Sequence, residues 1–281
     1  MLTLYRVLKF IFRYLIPDSL RYVFARTIAW GICFFNAPRR GVIISNLTPL
    51  VGEVRAKAMA PKLMGNFLMT AVDFFCAHRD LAASIPFENW SAVDKAYRKT
   101  KRVILVTAHL GHWEVGISCL VEKGFSMAGV YAPYREDAIV QWILRHRQSE
   151  AEWIPASRGA ALACINALER GRVLGMVADI PFGEKGRRVK IAGAYAHLPL
   201  GPWAIAVWAK ATVIPVFIIR ESPGRYRGVM LDPITPPEGS FRHQMEAMQD
   251  VYRAHLESYL QRYPEQWGVL QRFWDPKQAA Q

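Results

Sequence analysis

Thiols are scarce in this chain and never paired. Its four cysteines, Cys33, Cys76, Cys119 and Cys164, stand far apart among apolar neighbours with no C-x-x-C between them. That excludes a zinc knuckle or a disulfide framework and reads as buried, reduced thiols. A Gly-x-Ser-x-Gly elbow is also missing, so the serine-hydrolase arrangement is not the chemistry to expect. Acidic residues are in short supply, 23 against 36 Lys plus Arg, and the formal net charge of +13 points to anionic partners. Ribonucleoprotein-like aromatic motifs and Gly/Arg tracts are absent, and apolar and aromatic residues accompany the basic ones. The partner expected is therefore an anionic membrane surface, not nucleic acid. In the apolar N-terminal segment the longest uncharged run is Thr27 to Pro38, well short of the roughly 20 residues that span a bilayer.

What is present begins with that segment. Arg6, Lys9, Arg13, Arg21 and Arg26 face only Asp18, and between them lie Leu2, Leu4, Val7, Leu8, Phe10, Ile11, Tyr14 and Leu15. The pattern predicts a basic amphipathic helix, broken near Pro17-Asp18 and resumed at Ser19, lying in a membrane interface. Residues 1–36 are read as this anchoring segment and 37–281 as one catalytic domain. At 52% hydrophobic the chain can bury a sizeable core.

Beyond residue 100 strands alternate with helices. Strands are predicted at 103–107, 126–131, 153–155, 172–178, 212–220 and 226–231. Helices are expected at 91–99, 113–121, 136–148, 158–169, 202–210 and 240–262, with Ser157 as a cap, a turn at Asn46 to Pro49, and a loop from Asp179 to Lys190. This rhythm implies an α/β fold: a mixed, mainly parallel central sheet flanked by helices, with a membrane-associated helix at the N-terminus.

One strand end carries chemistry. Val103 to Thr107 runs into Ala108-His109-Leu-Gly111-His112-Trp-Glu114, at the sheet edge where α/β proteins bind ligands. A neutral imidazole is a usable general base near pH 7. A carboxylate can accept its other ring N–H and stabilise the imidazolium. His109 is thus the candidate base and Glu114 its orienting partner. The turn contains no nucleophilic Ser or Cys, so direct attack by a substrate hydroxyl is the economical route. Were the group attacked a carbonyl, the oxyanion would be met by amides of the Gly111 turn or a nearby Arg. Gly111, His112, Arg135, Arg147, Asp179, Arg187 and Arg188 are candidate substrate-binding residues. Arg187 and Arg188 suit phosphate groups, and the Arg147 face suits an acidic carrier protein. A metal-dependent hydrolase built on His109, His112 and Glu114 is the rival enzyme reading, and a non-catalytic membrane-binding protein the rival non-enzyme.

Several segments together resemble the bacterial lipid A biosynthesis (lauroyl/myristoyl) acyltransferases, within the lysophospholipid acyltransferase-like superfamily. They are Ile44-Ser-Asn46-Leu47, Ala108-His109-Leu-Gly-His-Trp-Glu114, Arg158-Gly159, Gly175 to Asp179, Leu200-Gly-Pro202, Val213-Ile-Pro-Val216, Tyr263-Pro-Glu-Gln-Trp267 and Arg272-Phe273. The resemblance implies a glycerolipid acyltransferase-like fold and a His-x4-Asp/Glu dyad, His109 and Glu114. It further implies transfer of a fatty acyl chain from acyl carrier protein, or acyl-CoA, to a hydroxyl of a lipid A-type precursor in lipopolysaccharide synthesis. No cofactor or metal is implied, and the site of action would be the cytoplasmic face of the bacterial inner membrane. Two departures bear on the acceptor: His112 stands where the family often has Asn, and Tyr131-Ala132-Pro133 lacks the family's Arg. Another glycosylated, amino-acid-based or polyene lipid is the alternative acceptor.

Overall fold

The computed structural model describes residues 2–133, Leu144, 151–182 and 186–275. A seven-stranded sheet has the order β1-β9-β8-β2-β5-β3-β4. Its strands are β1 (Phe87–Glu88), β2 (Val103–Thr107), β3 (Met127–Tyr131), β4 (Glu152–Pro155), β5 (Val173–Val177), β8 (Thr212–Ser222) and β9 (Arg225–Met230). Every pairing in it is parallel except the β8–β9 hairpin. The sheet is therefore mixed and mainly parallel, as the alternation of strands and helices predicts.

The apolar runs of β2 and β8 have no polar face because both faces are covered. Ile104, Val106, Val213, Phe217 and Ile219 point into one core with α8 (Ala160–Glu169), α9 (Gly201–Ala209) and α10 (Phe241–Arg262). Val103, Leu105, Ile214, Val216 and Ile218 alternate into a second core under α5 (His78–Ser84), α6 (Ser91–Thr100) and α7 (Gly116–Glu122). A third apolar cluster joins α2 (Asp18–Phe35), α3 (Ala37–Val51) and α4 (Glu53–Cys76).

The N-terminus follows expectation in outline: α1 (Leu2–Phe10) runs into a π turn at Ile11–Leu15, and α2 begins at Asp18 after Pro17. Ala25, Ala29 and Cys33 of α2 are buried, while Leu20, Val23, Phe24, Trp30, Phe34 and Phe35 stay exposed. Among the described residues no helix is long and apolar enough to cross a membrane.

Three local expectations fail. Asn46 to Pro49 is not a turn but the interior of α3. Asn46 is buried because its side-chain amide holds the C-terminal tail, donating to the Val269 and Gln271 carbonyls at 3.0 and 2.8 Å and accepting from the Phe273 amide. Ser157 does not cap α8; Gly159, in the left-handed region, precedes the helix. The charged stretch read as a loop is half strand: β6 (Arg187–Ile191) pairs antiparallel with β7 (Ala194–Leu198), burying Val189, Ile191, Ala196 and Leu198. The helix expected at 136–148 lies outside the described residues.

Candidate active site

The centre of the site is set by strand register. Thr107 of β2 lies opposite Val177 of β5, so two residues further along each chain His109 and Asp179 meet at the carboxyl edge of the sheet. His109 Nδ1 is 2.8 Å from Asp179 Oδ1, and the His109 amide donates to Oδ2 at 3.0 Å. The indole Nε1–H of Trp267 donates to the same Oδ2 at 3.1 Å. An ionised carboxylate only accepts, so the ring proton sits on Nδ1 and Nε2 keeps the lone pair.

Asp179 is fully buried, whereas the His109 side chain leaves 31% of its surface open. Burial works to raise the Asp179 pKa, but the His109 charge and the three donated hydrogen bonds outweigh it and hold the carboxyl below the usual range. For His109, burial works in the lowering direction. The Asp179 charge and hydrogen bond, with a smaller contribution from Glu114, overcome it and leave the imidazole above its ordinary value.

The partner of His109 Nδ1 is thus Asp179 and not Glu114. Glu114 lies on the 3-10 turn Trp113–Val115 and acts on the ring through its charge. Asp179, expected to meet substrate, is in contact with the His109 ring and amide. Adjacency in sequence favoured Glu114; adjacent parallel strands bring in a residue 70 positions away.

The turn after His109 is stitched on both sides. Gly111 donates its N–H to the Gln266 carbonyl at 3.0 Å, His112 donates to Ile218 O at 2.9 Å, and Gly268 donates to His109 O at 2.7 Å. Gly111 has φ +64, and a Cβ there would stand 1.9 Å from Ile218 O, so its role is to let the turn lie against β8. Because these two amides are already engaged, they do not supply the oxyanion donors expected of them.

His112 does not face the open side. It is fully buried against the rings of Tyr226 and His78, and burial above all, with repulsion from the neighbouring His78 and Arg220 side chains, pushes its pKa well below the ordinary value. His109, His112 and Glu114 therefore do not converge as ligands. No group of three or more His, Cys, Asp or Glu side chains suited to a metal occurs among the described residues.

Arg187 and Arg188 lie on the β6–β7 hairpin with their charges already paired: Arg187 Nη1 to Asp250 Oδ1 at 2.8 Å, Arg188 Nε to Asp275 Oδ2 at 2.8 Å. Arg188 also covers the Tyr195 ring, 3.7 Å from its centroid. They line a shallow depression with Lys190, Arg253 and Glu257, and any phosphate there would compete with these carboxylates. Arg135 and Arg147 lie outside the described residues. Ser118 and Cys119, the nearest candidate nucleophiles in sequence, are buried, and burial pushes the Cys119 thiol up to about 12.

Sequence reasoning gave Trp267 and Gln266 no role, and it overlooked Asp73, Thr70, Arg220 and Tyr226 behind the turn. The Pro-Glu-Gln-Trp tail marked the first pair as unusual; nothing local marks the others, except that Arg220 follows the apolar run Val213–Ile219.

An imidazole held by a buried carboxylate, partly open at the carboxyl edge of a mainly parallel sheet, is chemically able to take up and return a proton at Nε2. Residues 4–275 match the family described as bacterial lipid A biosynthesis acyltransferase, and the chain belongs to that family. A phosphatidylinositol mannoside acyltransferase of Mycolicibacterium smegmatis is 23% identical over 190 residues, covering 66% of this chain and 59% of that protein. One of Mycobacterium tuberculosis is 23% identical over 205 residues, 70% of this chain and 63% of that protein. The chain thus spans about three-fifths of the length of these curated relatives. The crystal structure of the 1-acyl-sn-glycerophosphate (LPA) acyltransferase PlsC from Thermotoga maritima aligns with a TM-score of 0.41 at 15% identity, over 86% of this chain and 98% of that one.

Proposed function

We propose that this protein moves a fatty acyl chain from an acyl carrier protein or coenzyme A thioester to a hydroxyl of a lipid A-type glycolipid, with His109 as general base. The observation that carries the reading is the 2.8 Å contact between His109 Nδ1 and the buried Asp179, which leaves Nε2 as the basic nitrogen of a half-open ring. Membership of the acyltransferase family supports the reaction class.

In the reaction Nε2 takes the proton of the acceptor hydroxyl as its oxygen attacks the thioester carbonyl. The tetrahedral intermediate collapses to the ester, the C–S bond breaks, and the imidazolium returns the proton to the departing thiolate. Asp179 stabilises the imidazolium between the two transfers. Glu114 adds negative charge beside it.

The exposed apolar side chains of α1 and α2, interleaved with Arg6, Lys9, Arg13 and Arg26, suit docking on the anionic cytoplasmic face of an inner membrane, where the acceptor resides. A mannosylated lipid acceptor is the second reading, favoured by the names of the curated relatives.

The test is acyl transfer by detergent-solubilised protein, using labelled acyl carrier protein and coenzyme A thioesters against a lipid A precursor and a phosphatidylinositol mannoside, with His109→Ala beside the wild type. Transfer lost in the variant supports the mechanism, and the preferred acceptor assigns the substrate. Wild-type protein inert on every pair would overturn the reading.

A further inference from the structure

Behind the catalytic turn lies a buried polar cluster that the reaction itself does not use. Asp73 of α4 is 1% exposed and accepts hydrogen bonds from three directions. Tyr22 of α2 donates to Oδ1 at 2.6 Å, Arg220 Nη1 donates to Oδ2 at 2.9 Å, and the Tyr226 hydroxyl donates to Oδ2 as well. Arg220 is itself buried, its guanidinium 4.6 Å from the centre of the Tyr226 ring.

From Arg220 two paths lead to Gly111. The side chain donates to Thr70 Oγ1 at 2.8 Å, and Thr70 turns its hydroxyl toward the Gly111 carbonyl at 3.4 Å. The main chain of Arg220 is bracketed by the Gln266 side chain, amide to Oε1 at 2.9 Å and Nε2 to carbonyl at 2.9 Å. The Gln266 carbonyl accepts the Gly111 N–H. Both sides of Gly111 therefore answer to one arginine, and Gly111 stands two residues from His109.

We propose that Asp73 and Arg220 are positioning residues for the His109 turn, and that Tyr22 extends their hold to the first long helix. Replacing a buried ion pair by apolar residues often costs little stability, whereas an ion pair with several directional bonds selects one arrangement of what it touches. The arrangement selected here is the approach of residues 109–112 to β8. The β8–β9 turn is shaped to admit Tyr22: Gly224, at φ +71, would place a Cβ 2.9 Å from the Tyr22 hydroxyl. The proposal rests on His109 being the base, but its structural half is measurable without a substrate.

The experiment compares Tyr22→Phe, Asp73→Asn, Arg220→Lys and the Tyr22→Phe/Asp73→Asn double variant in the full chain. Hydrogen exchange over residues 108–116 is read against residues 173–177 as an internal reference. We expect exchange of the turn to quicken about tenfold in each single variant while the reference is unchanged. With a thioester of lauroyl-acyl carrier protein and whichever acceptor lipid the wild type uses, kcat should fall about threefold to tenfold for Tyr22→Phe and about 100-fold for the other two, with KM within about twofold. Tyr22→Phe should add less than about twofold in the Asp73→Asn background, since the hydroxyl then acts on a broken unit.

Uniform quickening of exchange throughout the chain, or a lowered melting temperature with kcat per folded molecule unchanged, would overturn the proposal. So would strictly additive losses, or a loss for Tyr22→Phe that tracks weakened binding to anionic vesicles. Should a charge variant fail to fold, Tyr22→Phe removes one hydroxyl and still decides the matter. Wild-type protein without transfer activity would count against the acyl-transfer reading, while the exchange measurement would still judge the positioning role.

Discussion

His109 and Asp179 hold each other's charge, and this makes their pH behaviour specific. A general base at His109, as proposed above, works as the neutral imidazole, and the pKa of this ring is raised above the ordinary value of 6.5. The acidic limb of kcat/KM should therefore fall above pH 6.5, with activity lost as pH drops through it. Asp179→Asn removes the cause of the raised value, so the limb should move to lower pH. The amide also disturbs the tautomer, and kcat should drop by about 10²- to 10⁴-fold. Stability follows the same pair. Protonated His109 stabilises the folded chain below pH 6.5, and that contribution is lost as pH rises through the raised value. For Asp179, whose pKa is lowered from 3.8, the contribution is present above 3.8 and lost as pH falls through the folded value. Thermal unfolding of Asp179→Asn should thus show a larger deficit at pH 6 than at pH 9. Trp267→Phe keeps the aromatic volume but removes one donor to a buried carboxylate, a loss of about 1.5–3 kcal/mol. Its kcat should fall with KM little changed.

Among the elements, the turn between β2 and the Trp113–Val115 helix leaves no room at Gly111. Gly111→Ala would drive a Cβ into the Ile218 carbonyl and also requires a residue to hold φ +64. A loss of several kcal/mol is expected, because the Cβ would meet a main-chain carbonyl held in the sheet, not the end of a flexible side chain. Urea unfolding measures it. Helix α2 is different in kind, with one face packed on α4 through Ala25, Ala29 and Cys33 and the other exposing Trp30, Phe34 and Phe35. Changing those three aromatics to Ser should leave the melting temperature near the wild-type value. Sedimentation with anionic vesicles should weaken by at least about 100-fold, since each ring can bury about 1.5–3 kcal/mol of apolar surface. Unchanged sedimentation would remove α2 from the docking surface.

For the molecule as a whole, the Asp73–Arg220 pair joins the N-terminal helices to the sheet. Arg220→Met leaves a buried carboxylate without its cation and should lower stability by about 3–5 kcal/mol. The double change Asp73→Leu/Arg220→Met should recover part of that loss, which calorimetry on both proteins would show.

The order of strands and helices was legible in the residues because burial on both faces writes a continuous apolar run, and β2 and β8 are buried on both faces. His109 was legible because it follows such a run directly. Its partner was not: Glu114 is near in sequence, but strand pairing sets Asp179 beside it. The Arg187–Lys190 stretch read as a loop because its side chains are charged, yet its alternate residues Val189 and Ile191 are buried in a hairpin. His112 sits in a polar motif and ends in the core for want of any local signal of which way a turn will face. Local pattern thus governs which segments become strands and helices, since that depends on neighbours two to four residues away. The His109–Asp179 pair, the occupied amides of the Gly111 turn and the Asp73–Arg220 cluster come from residues 41 to 155 positions apart. Only packing, which brings distant strand ends to one edge, could place them together.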